Sequence, residues 1–273
     1  MNFLSTFLSF KKDTLKLMLA TSFVLLISGV HSQEPENDLQ VVALTNPEKS
    51  GILEMQVYDG HINIVGHEGK NVLIEIKKGF EMLPDSSKAP YKDKPKNAIK
   101  LNVEEHNNRV VIASKNDKDM RYIIKVPKKF DLDLNARSGD ITVENVMGEM
   151  VVSNKNGAVS LLNVRGTVVA DALNKDITVD FLSVTENADM AFTSLNGDLN
   201  ISFPKNIKAD ILALSEEGQT HIGLDVDSKD VNEKMVTNED KNGESIIGTI
   251  NGGGGKFVFR TVYGNIRIET NQR

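Results

Sequence analysis

The amino-acid sequence predicts an all-β fold: a single-stranded parallel β-helix, or β-solenoid-like stack of coils of about 18–22 residues, with antiparallel or irregular closing strands. A short phrase, a turn residue followed by an apolar–polar–apolar triplet, recurs at residues 60–64, 139–143, 157–161, 175–179, 197–201 and 264–268. Such periodic repetition is typical of stacked β-architectures. Beyond residue 32 the chain also lacks the three- and four-residue apolar spacing of helices. A β-sandwich is the alternative fold.

Residues 1–32 have the features of a secretory signal peptide and are not expected to belong to the fold. Three lysines precede an apolar stretch at residues 17–27, and residues 30–32 fit a cleavage site. The apolar stretch is shorter than the roughly 20 residues that span a bilayer. We therefore expect cleavage after Ser32, no membrane insertion of the remaining chain, and export to the periplasm or exterior of a bacterium.

Composition excludes several classes of partner and site. The predicted signal peptide holds three lysines and one aspartate, so the remaining chain has 29 basic and 37 acidic residues and a net charge of −8. A chain this acidic repels nucleic acid and anionic membrane surfaces. The sequence contains no cysteine, which excludes thiol catalysts, cysteine metal sites and a lipid-modified N-terminal cysteine.

The remaining chain begins with a polar lead-in at residues 33–50, which includes a first strand near residues 39–44. The predicted β-solenoid domain covers residues 51–270, and its first strands alternate apolar and polar residues. Residues 79–98 interrupt this pattern with prolines and lysines and are predicted to form an inserted loop. Further strands are expected near residues 99–103, 109–113 and 121–126.

The most regular region, residues 130–213, predicts how one coil is built. Gly139 and Gly148 are nine residues apart, as are Gly157 and Gly166, so each coil should consist of turn, strand, turn and strand. Glycine tolerates the positive φ that many turns need. The glycines predicted to occupy turns are Gly60, Gly139, Gly148, Gly157, Gly166, Gly197 and Gly264. The apolar side chains predicted to line the interior include Ile141, Val159, Ile177 and Leu199.

A second interruption, the acidic loop at residues 225–245, separates the regular region from the end of the chain. The glycine run at residues 252–255 is predicted to connect two of the last strands. We expect the closing strands of the stack at residues 245–250, 256–262 and 265–268.

Two columns of the repeat carry side chains that could contact a ligand. Asp140, Asp176 and Asp198 follow the turn, and stacked carboxylates repel unless a cation or a lysine lies between them. This column is a candidate for a weak cation site; the alternative is that aspartate is a good turn residue that prevents register slips. The outward column, either a contact surface or an ordinary solvated strand face, comprises Thr142, Ser160, Thr178 and Asn200.

The sequence shows no catalytic or cofactor motif. No Ser-His-Asp order, paired glutamates or nucleophile elbow is visible. The glycine run at residues 252–255 lacks the Walker spacing, and residues 238–249 lack the first and twelfth ligands of a calcium loop. We therefore expect no catalytic residue, no cofactor and no built metal site, and predict that the protein is not an enzyme.

The repeated phrases resemble those of a family of exported bacterial proteins labelled adhesins, which carry a DUF4097-like domain of unknown function. The similarity covers roughly residues 40–270 and implies a β-helix-like fold. Lys175 replaces the usual glycine, and the unit at residues 214–224 is degenerate, so irregular coils are expected there. The matching segments are residues 124–127, 138–143, 196–199, 249–254 and 261–266.

The leading functional hypothesis is an exported, non-enzymatic, adhesin-like β-solenoid that presents an extended face to a protein or an envelope polymer. One alternative, which depends on the breadth of the resembled family, is an accessory that senses or scaffolds in envelope stress. Another is a polysaccharide-active β-helix enzyme, for which the aspartate column would be the location. Exposed strand edges at the ends of the stack would also permit dimerisation.

Overall fold

The computed structural model describes residues 39–78, 101–114, 120–231 and 244–271. Contacts divide the chain into two units, Met1–Glu36 and Asn37–Arg273, and the first lies outside the described residues. The predicted signal peptide, the inserted loop at residues 79–98 and most of the acidic loop also lie outside them. Every regular element of the described residues is a β-strand, as the sequence predicted.

Twenty strands follow one another along the described part of the chain. Their bounds are β1 Leu39–Val42, β2 Gly51–Val57, β3 His61–His67, β4 Val72–Lys78, β5 Asn102–His106, β6 Arg109–Ser114, β7 Met120–Pro127, β8 Phe130–Ser138, β9 Ile141–Glu144, β10 Met147–Asn156, β11 Val159–Ala172, β12 Ile177–Val184, β13 Met190–Ser194, β14 Leu199–Phe203, β15 Ala209–Ser215, β16 Thr220–Ile222, β17 Val226–Val231, β18 Glu244–Ile250, β19 Gly255–Thr261 and β20 Ile266–Thr270.

The strand pairings form two series, which we call sheet I and sheet II, and strand β11 passes from one to the other. Sheet I contains, in spatial order, β1, β4, β7, β3, β9, the first part of β11, β12, β14, β20 and β16. Sheet II contains, in spatial order, β5, β6, β2, β8, β10, the second part of β11, β13, β19, β15, β18 and β17.

Each coil contributes one strand to sheet II and the next strand to sheet I, so neighbouring coils pair in parallel. Ile141, Val159, Ile177 and Leu199 lie on successive coils in direct register, and all four are fully buried. The predicted interior column and the predicted β-solenoid are therefore confirmed. The coil that contains Lys175 pairs in direct register with β14, but the pairing of its strand β12 with β11 shifts register around Val164 and Phe181, so the expected irregularity is present there. In the degenerate unit, β16 is only three residues long but still pairs in register with β20.

The order of the coils departs from the order of the chain at both ends of the stack. The coil β2–β3 lies between β6–β7 and β8–β9. The coil β19–β20 lies between β13–β14 and β15–β16. The expectation that β19 and β20 close the stack is therefore wrong. Each coil carries the same apolar pattern, so the local sequence fixes strands and register without fixing which coil lies next to which.

Among the described residues, antiparallel strands cover three of the four sheet ends, in agreement with the predicted antiparallel closing strands. Strands β4 and β1 extend sheet I at the N-terminal end, and β5 extends sheet II there. Strands β18 and β17 extend sheet II at the opposite end. Covering the parallel coils in this way keeps their long edges from pairing with other chains.

Five phenylalanines fill the interior of the C-terminal coils and join the two sheets. Phe181 in sheet I contacts Phe192 in sheet II edge to face, with ring centroids 6.3 Å apart. Phe203 in sheet I stacks on Phe257 in sheet II at 5.4 Å and meets Phe259 edge to face at 6.2 Å. All five rings are fully buried. The inner faces of the two sheets therefore share one core in this part of the stack.

Glycine at the turns permits a close vertical approach of one coil to the next. The carbonyl oxygen of Gly139 lies where a Cβ on Gly157 would be, and the carbonyl of Gly197 bears the same relation to Gly264. Gly139 itself has a φ of +96°, a conformation that L side chains rarely adopt. These positions demand glycine because the backbone of the neighbouring coil leaves no room for a side chain.

Replacing Gly157 by alanine should destabilise the fold, because the new Cβ would overlap a backbone oxygen that cannot move without shifting the Gly139 turn. We expect a loss of at least about 2 kcal/mol in unfolding free energy, or about 4–8 °C in melting temperature. The matched control is Gly223→Ala, since the nearest atom to its added Cβ is 3.7 Å away. Thermal denaturation followed by circular dichroism checks both variants, and equal melting temperatures would contradict the explanation.

Candidate functional site

The predicted aspartate column lies at one corner of the stack, where each carboxylate accepts a backbone N–H from the next coil. Oδ1 of Asp140 accepts the N–H of Ala158 at 2.9 Å, and Oδ1 of Asp176 accepts that of Asp198 at 2.9 Å. Oδ1 of Asp198 accepts the N–H of Asn265 at 2.7 Å. These carboxylates therefore satisfy turn amides that the strand pairing leaves without a partner.

Other residues extend this arrangement beyond the predicted three. At the same corner, Oδ1 of Asn265 accepts the N–H of Gln219 at 3.0 Å. At the opposite corner, Oδ1 of Asp131 accepts the N–H of Glu149, and Oδ1 of Asp189 accepts that of Lys256, both at 2.8 Å. A side-chain oxygen at the start of a strand thus serves the same purpose at both corners.

The cation site proposed for the aspartate column stays a prediction. Asp176 and Asp198 are vertical neighbours, as the repeat spacing indicated. Within the described residues, no three or more His, Cys, Asp or Glu side chains form a group that could hold a metal ion. Each Oδ1 in the column already accepts a hydrogen bond from a backbone N–H.

A second column, which the sequence analysis missed, is buried beside the turn glycines. Four side chains three residues before a turn glycine each donate to the backbone carbonyl of the neighbouring turn. They are Asn154 to Gly139 at 2.8 Å, Ser194 to Lys175 at 3.3 Å, Thr261 to Gly197 at 2.9 Å and Ser215 to Gly264 at 2.8 Å. The signal in the sequence was a Ser, Thr or Asn at a constant distance from the turn glycine.

The predicted outward column lies on the outer face of sheet I and continues on both sides. Residues of successive strands stand directly opposite one another in this row, and they are half-buried or exposed. We call it the polar row; it comprises Asn63, Thr142, Ser160, Thr178, Asn200, Arg267 and His221.

The outer face of sheet II carries a row of different chemistry, which the sequence analysis also missed. We call it the aliphatic row; it comprises, in spatial order, Val151, Val169, Ala191, Val258, Leu212 and Ile247. Val151, Val169 and Ile247 are 49%, 42% and 50% exposed. The row was hidden because its last members come from coils whose spatial order differs from the chain order. The available signal was consecutive apolar residues, as at 150–152 and 168–170, where a half-buried strand should alternate.

Two glutamates with lowered pKa values lie near the N-terminal end of the stack, away from both rows. The backbone N–H groups of Thr45 and Asn108 donate to Glu105 at 3.0 and 2.9 Å and lower the pKa of its carboxyl. A hydrogen bond from Lys128 lowers the pKa of Glu68. Their contributions to stability are present above the ordinary glutamate pKa and are lost as the pH falls through the lowered values. These two groups therefore stabilise loops and do not indicate proton-transfer chemistry.

Comparison with known proteins identifies the fold family. A family model described as Toastrack DUF4097 matches residues 52–194 and 130–254. The chain belongs to this family. The resemblance noted in the sequence is thereby confirmed, and the β-solenoid-like architecture of the Toastrack domain agrees with the stack of coils. The two matches overlap at residues 130–194.

One solved structure is also similar to the Toastrack chain. It is a crystal structure from Clostridium sporogenes, of a protein described as a "putative cell adhesion protein". It aligns over 85% of this chain and 99% of its own, at 12% identity and a TM-score of 0.38. A likeness at that level carries no argument about function. No curated protein matches the chain. In the described residues, no helix is long and apolar enough to cross a membrane.

Replacing Asp198 separates the role of its oxygen from the role of its charge. Asp198→Ala removes the acceptor for the Asn265 N–H and should lower the unfolding free energy by about 1 kcal/mol. Asp198→Asn keeps an acceptor oxygen and should remain close to wild type. Chemical denaturation measures both variants, with and without added calcium. If Asp198→Asn loses a calcium-dependent stabilisation that the wild type shows, the column is a cation site and the turn explanation is insufficient.

The buried polar column beside the turn glycines predicts that an isosteric substitution destabilises the fold. Thr261→Val removes the donor to the Gly197 carbonyl without changing the volume of the side chain, and leaves that buried carbonyl unsatisfied. We expect a loss of about 1–3 kcal/mol in unfolding free energy. Thr178→Val, on the half-exposed polar row, is the control and should change stability little. Similar losses of unfolding free energy in the two variants would argue against this role for the buried polar column.

Proposed function

We propose that this Toastrack protein is an exported, non-enzymatic binding protein that presents its polar row to an extended polymer of the cell envelope. The observation that carries the proposal is the polar row itself, in which seven side chains stand in register on adjacent strands of sheet I. Strands about 4.8 Å apart give the row a length of about 29 Å. Its hydroxyl, amide, guanidinium and imidazole groups suit a partner that offers hydrogen-bonding groups at repeated intervals.

The sequence supports export to the periplasm or exterior of a bacterium. The basic, apolar and cleavage regions of residues 1–32 follow the order of a signal peptide. The remaining chain is acidic and contains no cysteine, so it can fold in either redox environment without forming disulfides. An envelope polymer is accordingly a partner that the chain would meet.

The use of the buried polar side chains supports a non-catalytic role. Asn154, Ser194, Ser215 and Thr261 each donate to the carbonyl of a neighbouring turn. Asn108, also buried, donates to the carbonyls of Asn46 and Lys49. These groups hold the backbone in place, so the side chains available to a partner are those on the outer faces.

Removing two groups from the polar row should weaken binding to isolated cell-wall sacculi. The variant Thr178→Ala/Asn200→Ala loses two hydrogen-bonding groups worth about 1 kcal/mol each, which corresponds to roughly 30-fold in affinity. Cosedimentation of the purified protein with sacculi over a range of protein concentrations gives the dissociation constant.

Gln56→Ala provides the control, because Gln56 is an exposed polar residue of β2 on the outer face of sheet II. It should bind as the wild type does. The proposal is wrong if wild-type protein does not sediment with sacculi, or if the double variant sediments as well as the control.

A further inference from the structure

We propose that the aliphatic row is the interface of a homodimer, in which a second copy of the chain packs face to face with its coils in the reverse order. The inference concerns sheet II and does not depend on the polymer proposed for the polar row of sheet I. Three features of the outer face of sheet II support the dimer: its exposed aliphatic side chains, its dimensions and its complementarity to the same face of a second copy.

The aliphatic row exposes apolar side chains at positions where an ordinary solvated sheet face carries polar ones. Val151, Val169 and Ile247 remain between 42% and 50% exposed, and they lie in one line with Ala191, Val258 and Leu212. Farther along the same strands, beyond Asp171 and Thr193, Leu173 and Leu195 lie next to each other and are 42% and 37% exposed. A continuous row of exposed aliphatic side chains, such as the aliphatic row, is typical of interaction sites.

The dimensions of this face suit a stable dimer. Six strands about 4.8 Å apart, crossed by seven residues at about 3.3 Å each, give a flat footprint of roughly 29 by 23 Å, or about 670 Å². A standard interface buries about 800 Å² of accessible surface on each partner, and a corrugated sheet face exposes more than its flat footprint. Two aliphatic sheet faces pack naturally about 10 Å apart with their strands within about 30°.

The face is complementary to a second copy of itself, related to the first by a two-fold axis that runs parallel to the strands between β13 and β19. This rotation lays Ala191 of one copy against Val258 of the other, Val169 against Leu212, and Val151 against Ile247. Every member of the aliphatic row thus meets another member, as an isologous interface requires.

A second row, two residues along each strand from the aliphatic row, favours the same arrangement. It comprises Glu149, Thr167, Asp189, Lys256, Asp210 and Thr249. Asp189 directly precedes β13 and lies opposite Lys256 of β19, so the two residues are on the two sides of the proposed axis. The rotation therefore places Asp189 of each copy against Lys256 of the other, and so brings opposite charges together twice. It also places Thr167 against Asp210 and Glu149 against Thr249, without a pair of like charges. In such a dimer, the two polar rows face outward on opposite sides.

Light scattering coupled to size-exclusion chromatography tests the dimer on the purified protein. We expect a wild-type mass of two chains. Val169→Lys and Val258→Lys should raise the dimer dissociation constant roughly 100-fold or more, because symmetry buries each introduced charge twice. Thr178→Lys, on the outer face of sheet I, is the control and should remain dimeric. A monomeric wild type, or a dimer that both lysine variants leave intact, would overturn the inference.

Cross-linking tests the reverse order of the coils. The chain has no cysteine, so one introduced cysteine reacts alone with a short bis-maleimide. Ala191→Cys lies next to the axis and should cross-link to its counterpart. Val151→Cys lies about 24 Å from its counterpart along the row and should not. Both are surface changes, and unchanged melting curves would show that the variants fold. Efficient cross-linking through position 151 would mean that the coils of the two copies run in the same order, against the proposal.

Discussion

The structure depends on the vertical contact of one turn with the next. Turn carbonyls lie directly against the Cα atoms of glycines in the neighbouring coil, as Gly139 does against Gly157. This approach is possible only because the polar groups of the turns are satisfied from two sides. Aspartates such as Asp198 accept the N–H groups, and hydroxyls such as that of Thr261 donate to the carbonyls. Neither the glycine nor its polar neighbours could hold the coils in register alone, since unpaired buried backbone groups are costly.

Stacking of this kind has a consequence for both surfaces. Because like positions lie above one another, any residue type that recurs along the repeat becomes a continuous row on the outside. On sheet I these positions are Thr, Ser and Asn, and the result is the polar row. On sheet II they are Val, Ala, Leu and Ile, and the result is the aliphatic row. One scaffold therefore offers two faces of opposite chemistry, which can serve a partner and a second copy at the same time.

The sequence predicted the parts of this arrangement that are encoded locally. The spacing of Ile141, Val159 and Ile177 gave the register and the interior, and Thr142, Ser160 and Thr178 the outer row. The placement of β19–β20 could not be predicted, since Ile266 and Ile268 carry the same pattern as any other coil and would fit at several levels. For the same reason, the sequence alone could not predict which residues lie next to Val258 in the aliphatic row. The buried polar column beside the turn glycines escaped notice because Asn154, Ser194, Ser215 and Thr261 differ in type and share only their position.

The central claim is that tightly stacked turns hold the C-terminal coil inside the stack, between β14 and β16 in sheet I and between β13 and β15 in sheet II. Native-state hydrogen exchange tests it most directly. We expect the amides of β19 and β20 to be protected as strongly as those of β12, which lies in the middle of the stack. Exchange of β20 as rapid as that of the edge strand β1 would show that the last coil lies at an open end, and would contradict the account.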